Sequence, residues 1–242
     1  MYGPEFAEIY DAVYTLRGKD YEAEAEYVAK VILARRPGAV SLLDVACGTG
    51  AHLACFGRTF GHVEGLDISE PMLEIARARN PEAALHVADM RSFDLGRRFD
   101  AVTCMFTAIA HQRSADELTA TLRCFARHLT PEGIAVIDPW WFPETFMDGY
   151  VAADVLEPGH HVIARVSHTR RDGEDASLMT VHYVVADESG ARHFTETYSH
   201  KLFPRGTYEQ ALRDAGFVSE FIETVPSGRG LFIGALERAG QP

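Results

Sequence analysis

The residues that most favour ligand chemistry form the run Leu42-Leu43-Asp44-Val45-Ala46-Cys47-Gly48-Thr49-Gly50. Glycines let a ligand approach the backbone closely, and the helix predicted directly after them would present its N-terminus to that ligand. The dinucleotide-binding spacing G-x-G-x-x-G is absent because Leu53 occupies the third glycine position. The acid Asp44 lies four residues before Gly48. The run therefore predicts a binding loop, and its spacing argues against a nicotinamide cofactor.

Two further acids stand at the ends of the next predicted strands. Asp67 ends the second strand and Asp89 ends the third. A carboxylate in such a position can accept hydrogen bonds from both hydroxyls of a ribose. One acid at a strand end is readily explained as a helix cap. Three acids at the carboxyl ends of successive parallel strands are better explained by a ligand that binds along that edge of the sheet.

This pattern resembles the motifs of class I S-adenosylmethionine (SAM)-dependent methyltransferases, which include D-x-x-x-G-x-G. The resemblance implies that Asp67 binds the ribose and that Asp89 takes the adenine amino group. It also implies that Arg17 meets the methionine carboxylate while Tyr10 closes over the cofactor, although Arg17 is equally explained as a surface charge. The other cofactor residues that it implies are Asp44, Ala46, Gly48, Gly50, Ile68, Met72, Met90 and Met105.

Alternating strands and helices must position these residues. Short apolar runs predict strands at 41–46, 62–66, 84–88, 100–106 and 134–137, with a turn at 131–133. Apolar residues at helical spacing, with capping residues, predict helices at 20–35, 51–58, 69–79 and 115–129. This alternation predicts an α/β, Rossmann-like fold, in which a mostly parallel sheet carries helices on both faces.

The sequence pattern changes after Trp141. Longer strands are predicted at 162–169, 178–185 and 192–201, which indicates an antiparallel β insertion. A helix at 206–215 and a hairpin of strands at 218–225 and 231–236 close the fold. We therefore expect a SAM-binding domain at 1–141 and 202–242. The insertion at 142–201 is expected to contribute to a substrate pocket and to dimer contacts.

Composition excludes several classes of protein. The chain has 242 residues and a formal net charge of −12, which argues against a surface built to bind nucleic acid. No apolar run approaches the roughly 20 residues of a membrane helix, and residues 1–11 show no secretory signal. The four cysteines show no CxxC spacing, which favours reduced thiols in the cytoplasm. The adjacent His160 and His161 point apart, so no metal site is predicted.

Several longer motifs carry a more specific resemblance. They are Arg17-Gly18-Lys19-Asp20-Tyr21, Asp89-Met90-Arg91, Pro139-Trp140-Trp141-Phe142-Pro143-Glu144 and Pro226-Ser227-Gly228-Arg229-Gly230-Leu231-Phe232, together with Met1-Tyr2 and Tyr10-Asp11. They resemble the TDP-amino-sugar N,N-dimethyltransferases that finish desosamine and mycaminose, over roughly residues 2–236. The resemblance implies two successive methylations of the C-3 amine of a TDP-linked 3-amino-deoxysugar, and it implies a homodimer.

The same resemblance implies residues beside the amino sugar. Tyr2 and His111 would orient the amine, with His111 as a possible proton acceptor. The alternatives are a frayed terminus for Tyr2 and a loop histidine without a role for His111. Trp141 and Phe142 would stack on thymine or wall the sugar pocket, or else pack in the core. Glu144 would contact the sugar or cap a turn.

The diphosphate needs a cation although the protein is acidic overall. Arg229 lies between two glycines, where backbone amides and a guanidinium can bind phosphate together, with Ser227 nearby. Arg165 is a second possibility, with a solvated strand face as its alternative explanation. Three other functions stay open: methylation of a TDP-4-amino sugar, O- or C-methylation of another small molecule, and SAM binding without catalysis.

Overall fold

A computed structural model describes residues 3–236, which form two β-sheets and the helices that cover them. The strands are β1 (Ser41–Val45), β2 (His62–Asp67), β3 (Ala84–Val87), β4 (Phe99–Cys104), β5 (Leu129–Ile137), β6 (Tyr150–Leu156), β7 (Val162–Asp172), β8 (Ala176–Asp187), β9 (Gly190–Lys201), β10 (Phe217–Ile222) and β11 (Leu231–Leu236). The helices are α1 (Pro4–Leu16), α2 (Tyr21–Arg35), α3 (Ala51–Phe56), α4 (Glu70–Arg79), α5 (Ala115–Arg127) and α6 (Arg205–Asp214), with a 3₁₀ helix at Ala108–His111.

The larger sheet has seven strands in the order β10-β11-β5-β4-β1-β2-β3. Its strands β1 to β5 pair in parallel, whereas β11 runs antiparallel to both β5 and β10. Helix α2 packs on one face of this sheet, and α5 and α6 pack on the other. The predicted Rossmann-like sheet with helices on both faces and an edge hairpin is confirmed.

The predicted helices are confirmed to within two residues at each end. Helix α2 begins after Asp20, whose side chain accepts a 2.9 Å hydrogen bond from the Ala23 N–H. Helix α5 begins after Ser114, whose hydroxyl accepts a 3.2 Å bond from the Glu117 N–H. Such caps satisfy backbone donors that a helix leaves unpaired at its start.

Helix α1 is absent from the sequence prediction. Its apolar side chains Phe6, Ile9, Tyr10 and Val13 follow helical spacing and are buried. They pack against Tyr183 and other residues of the smaller sheet, so this helix joins the second sheet to the first through α4. The apolar stripe is visible in the sequence, and helix α1 is therefore a correction to the prediction.

Two strands also differ from the prediction. Strand β5 runs through 131–133, where a turn is predicted, because a bulge there accommodates Glu132 with φ +66°. Strand β6 is missing from the prediction since it is an edge strand whose residues Val151 and Val155 are exposed. The insertion therefore has four antiparallel strands in the order β6-β7-β8-β9.

The smaller sheet has two unlike faces. Its inner face carries Ile163, Arg165, Ser167 and Thr169 of β7, all buried. Its outer face carries the intervening side chains, including Val162 and Val166, which are exposed. The sheet thus presents one face to the rest of the molecule and leaves the other uncovered. Within residues 3–236, every helix is too short or too polar to span a membrane.

Candidate functional site

The cofactor loop is held by the carboxylate at the end of the second strand. Gly48 and Gly50 adopt φ of +55° and +71°, a region that other residues enter only at a cost. The Gly48 N–H donates to Asp67 Oδ2 at 2.9 Å, and the Ser69 N–H donates to Asp67 Oδ1 at 2.8 Å. Burial raises the pKa of Asp67, and these two N–H groups oppose the increase. The sequence thus brings the loop and the acid together as predicted.

The residues along this edge fit an adenosyl group. A Cβ atom added to Gly48 would meet no atom within 4 Å, so the loop borders open space. Ile68 is 47% exposed directly after Asp67, where it can pack on a ring. Ala46, with φ +58°, turns the backbone at the end of β1. Asp67 retains acceptor capacity beyond its two backbone bonds, because an ionised carboxylate has about four lone-pair sites.

Asp44 is placed beneath the loop. Its side chain is 1% exposed and accepts a 2.8 Å hydrogen bond from Thr103 Oγ1 on the neighbouring strand. Burial raises the pKa of Asp44 to about 6. This hydrogen bond joins β1 to β4 just before the loop, and a contact between Asp44 and a cofactor stays a prediction.

The remaining predicted cofactor residues differ in their burial and in their contacts. Asp89 forms an ion pair with Arg91 at 2.6 Å, and hydrogen bonds from Arg91 lower the pKa of Asp89. Met90 is half-buried against the core, and Met105 is buried. Met72 is completely buried among the side chains of α1 and the smaller sheet. Roles for these residues in cofactor binding remain predictions.

A cavity of about 340 Å³ lies where the ends of β4 and β5 face the smaller sheet. It has a size typical of small-molecule sites. Its wall is rich in aromatic and cationic side chains, and none of its lining residues in the described chain is acidic. The lining residues are Tyr14, Arg17, Phe106, Thr107, Trp140, Trp141, Phe146, Met147, Tyr150, Arg165, Ser167, Thr169, Met179, Tyr198, His200 and Arg229.

Two arginines of this wall share one carboxylate, Asp154, which does not itself line the cavity. Arg17 Nε lies 2.8 Å and Arg165 Nη1 lies 3.2 Å from the same Asp154 oxygen, Oδ2. Arg165 is 5% exposed, and its Nε is buried without a hydrogen-bond partner among residues 3–236. The solvated strand face considered for Arg165 is therefore wrong. Arg17, Arg165 and Asp154 together form a first cationic group, with two positive charges and one negative charge.

Arg229 forms a second cationic group. It donates from Nη2 to Asp138 Oδ2 at 2.7 Å and from Nε to the Pro139 carbonyl at 3.2 Å. Its backbone N–H donates to the Ser227 hydroxyl at 3.4 Å. Asp138 is fully buried, which raises its pKa, while Arg229 opposes that increase. The loop is thus anchored to the end of β5 by a buried ion pair.

The Trp-Trp-Phe-Pro-Glu motif divides between cavity and core. Trp140 and Trp141 line the cavity. Phe142 instead packs in the core, against Tyr208, Phe221 and Phe232, so its interpretation as a cavity residue is corrected. The preceding Trp141 faces the cavity, whereas the ring of Phe142 points into the core. Glu144 is exposed and does not line the cavity.

His111 lies at the end of the 3₁₀ helix, exposed beside the cavity and not on its wall. Its ring is 4.7 Å from the ring of His200, which does line the cavity. Tyr2, the other predicted orienting residue, lies outside the described residues.

Several wall residues lie outside the predicted site. Tyr14 belongs to the unpredicted α1, and its ring meets Phe106 edge-on at 4.8 Å. Phe106 and Thr107 both have positive φ, of +52° and +67°, in the turn after β4. Strain of this kind concentrates at functional sites, but the sequence gives no sign of it. Alternation along β7 could have identified Ser167 and Thr169 as partners of Arg165.

Comparisons with known proteins agree with this geometry. A family model described as a methyltransferase domain matches residues 42–133. The chain is 52% identical over 241 residues to a dTDP-3-amino-3,6-dideoxy-alpha-D-glucopyranose N,N-dimethyltransferase of Streptomyces fradiae, covering 99% of this chain and 94% of the relative. It is 50% identical over 235 residues to the Streptomyces venezuelae enzyme for the 3,4,6-trideoxy sugar, covering 97% and 99%.

Solved structures give the same result. The crystal structure of Streptomyces venezuelae DesVI matches with a TM-score of 0.93 at 49% identity, covering 98% of this chain and all of that chain. SAM-bound CalS10, an amino pentose methyltransferase of Micromonospora echinaspora, matches with a TM-score of 0.88 at 44% identity, covering 95% and 97%. The chain is a SAM-dependent methyltransferase. Within that class it belongs to the dTDP-amino-sugar N,N-dimethyltransferase family.

Proposed function

We propose that this chain N,N-dimethylates the amino group of a dTDP-linked 3-amino-deoxyhexose, by two rounds of direct methyl transfer. The observation that carries the proposal is the cavity at the ends of β4 and β5, whose wall contains three arginines and no acidic residue. Such a wall favours a diphosphate and disfavours a cationic ammonium. The relatives named above act on sugars of this kind.

The nucleotide part is assigned to the cationic groups. Arg229, with Ser227, would bind the diphosphate, because its guanidinium keeps donors beyond those used by Asp138 and Pro139. Arg165, with its unpartnered Nε, supplies a further donor at the inner face of the smaller sheet. Trp141 offers a flat surface for thymine. Arg17 would exchange Asp154 for the methionine carboxylate of the cofactor.

The chemistry requires a neutral amine held in line with the methyl group. SAM supplies a methyl group on a positively charged sulfur, with a neutral thioether as its leaving group. The amine lone pair forms the new N–C bond while the electrons of the C–S bond remain on sulfur, and a proton is then lost to solvent. The protein's part is to orient the amine and exclude water, so a strong base is not required.

A reaction with SAM and a panel of dTDP-3-amino and dTDP-4-amino sugars, followed by mass spectrometry, tests the proposal. A 3-amino sugar that gains two methyl groups supports it. Dimethylation of only the 4-amino sugar would favour the alternative function, methylation of a dTDP-4-amino sugar. A 48% identical relative of Saccharopolyspora spinosa is named as an enzyme for such a sugar. Binding of SAM without any product would contradict both proposals.

We further propose that the outer face of the smaller sheet pairs with a second copy of the chain. Three of its cross-strand rows contain no acidic residue, lysine or arginine, although the protein carries a net charge of −12: Val151-His168-Thr180-Thr197, Ala153-Val166-His182-Thr195 and Val155-Ala164-Val184-His193. The charged Arg170 and Asp172 lie beyond these rows on the same face of β7. Five of its valines are more than 40% exposed, and large exposed apolar patches indicate protein contacts. The insertion at 142–201 would then serve both the cavity and the dimer.

Light scattering after gel filtration tests the dimer. We expect twice the mass of one chain for the wild type and a monomer for Val166→Asp with Val184→Asp. Val218→Asp, at an equally exposed valine on β10, is the control and should remain dimeric. A monomeric wild type would contradict the proposal.

A further inference from the structure

His200, which no sequence motif singles out, forms part of the cavity wall. It is 4% exposed on β9. Its ring lies between Trp140, at 4.6 Å between ring centroids, and His111, at 4.7 Å. Trp140 is itself fixed, because its Nε1 donates to Ser177 Oγ at 3.2 Å on the strand that pairs with β9. These contacts restrain the plane of the His200 imidazole.

One nitrogen of this ring has no partner. His200 Nδ1 is buried and makes no hydrogen bond within residues 3–236. A buried polar atom without a partner is destabilising, and such atoms are rare in native proteins. Burial lowers the pKa of His200 to about 3, with a smaller contribution from His111, so the ring stays neutral at working pH. A neutral imidazole can accept a hydrogen bond.

The amine of the proposed substrate needs such a group. A neutral primary amine has one lone pair and two N–H donors, so its lone pair is aimed by holding an N–H in place. The three arginines and two tryptophans of the wall can only donate, its serine, threonine and tyrosine hydroxyls can both donate and accept, and no carboxylate lines it in the described chain. Among the wall residues, His200 combines acceptor capacity, a fixed ring and an unpartnered atom.

We propose that His200 accepts a hydrogen bond from an N–H of the sugar amine and thereby aims the lone pair at the methyl group in both rounds. This inference rests on the proposed function. In this proposal the buried His200 orients the amine and takes no proton. The proton of the ammonium formed in each methyl transfer is lost to solvent.

Mass spectrometry that follows both methylation rounds in time tests the inference. We expect His200→Phe to lower kcat in both rounds by about 10- to 100-fold, because small misplacements of reacting groups slow transfer by that order. The KM for the dTDP sugar should change less than about threefold, and the pH profile should keep its shape. His200→Asn places a carbonyl oxygen near the position of Nδ1, and we expect it to recover most of the rate.

The controls separate this role from a structural one. His160→Phe changes an exposed histidine between β6 and β7, outside both the cavity wall and the proposed dimer face, and should leave kcat unchanged. Unchanged kcat in His200→Phe would overturn the inference, as would an Asn variant no better than Phe. A lost ionisation in the pH profile would identify His200 as a proton acceptor instead. If the wild type methylates no amino sugar, the proposed function itself fails.

Discussion

The cofactor edge and the cavity are built in different ways. The cofactor edge uses backbone N–H groups and strand-end carboxylates that all come from residues 44–90. The cavity draws on α1, the turn after β4, the smaller sheet and the loop that carries Arg229. The first region depends on short-range geometry, whereas the second depends on side chains brought together from distant parts of the chain. Except at Arg17, which lines the cavity and is assigned to the methionine carboxylate, a substitution in one region should leave ligand binding at the other intact.

The largest effect is expected in the cavity, at Arg229. Arg229→Ala leaves the fully buried Asp138 without its ion-pair partner, and an uncompensated buried charge destabilises a protein by about 3 kcal/mol or more. Urea unfolding should show this loss.

The double variant Arg229→Ala with Asp138→Asn removes both charges and should recover most of the stability. In that variant we expect the KM for the dTDP sugar to rise about tenfold, while SAM affinity measured by calorimetry is unchanged, since one charged hydrogen bond to phosphate is lost. A rise in the Kd for SAM would place Arg229 at the cofactor edge instead.

The reciprocal change is Asp67→Ala at the cofactor edge. It removes the acceptor assigned to both ribose hydroxyls and releases the N–H groups of Gly48 and Ser69. We expect the Kd for SAM to rise about 100-fold, because two hydrogen bonds to a charged group are lost. Binding of the dTDP sugar should persist. The exposed Asp172→Ala is the control, and an unchanged Kd in Asp67→Ala would refute the ribose assignment.

The same contrast explains what the sequence could predict. Asp44, Asp67 and Asp89 were located because strand ends are marked by short apolar runs and turn residues, all local signals. Phe142 could not be assigned, since an aromatic residue after a strand end suits core and cavity equally. Arg165 and His200 sit at alternate positions of long strands, which fixes their face of the sheet. Whether that face borders a cavity or packs in a core depends on α1 and on tertiary packing.

A third prediction concerns pH and the buried His200. Its folded pKa of about 3 lies below the ordinary value of 6.5. Between these values the unfolded chain binds a proton that the folded chain does not, so stability falls as pH is lowered from 6.5. We expect wild type to lose roughly 2 kcal/mol more than His200→Asn between pH 7 and pH 5 in urea unfolding. Equal losses would mean that His200 is accessible to protons in the folded chain.

The smallest effect is expected from alanine substitutions at two glycines, which separate the cost of backbone strain from the loss of ligand contact. Gly48 and Gly173 have similar φ, +55° and +70°, and a Cβ atom at either would meet no atom within 4 Å. Alanine in this region of φ costs about 1 kcal/mol at either position, which should lower Tm by about 3 °C in both variants. Only Gly48 borders the cofactor loop, whereas Gly173 lies in the turn between β7 and β8.

The two alanine variants should therefore differ in binding although they match in stability. A methyl group at position 48 projects into the space assigned to the cofactor, so Gly48→Ala should raise the Kd for SAM about fivefold. Gly173→Ala should bind SAM as the wild type does, because its added methyl group faces open space far along the chain from the loop. Equal SAM affinity in both variants would show that the cofactor does not approach the Gly48 backbone, and the carboxylate of Asp67 would then need a different ligand partner.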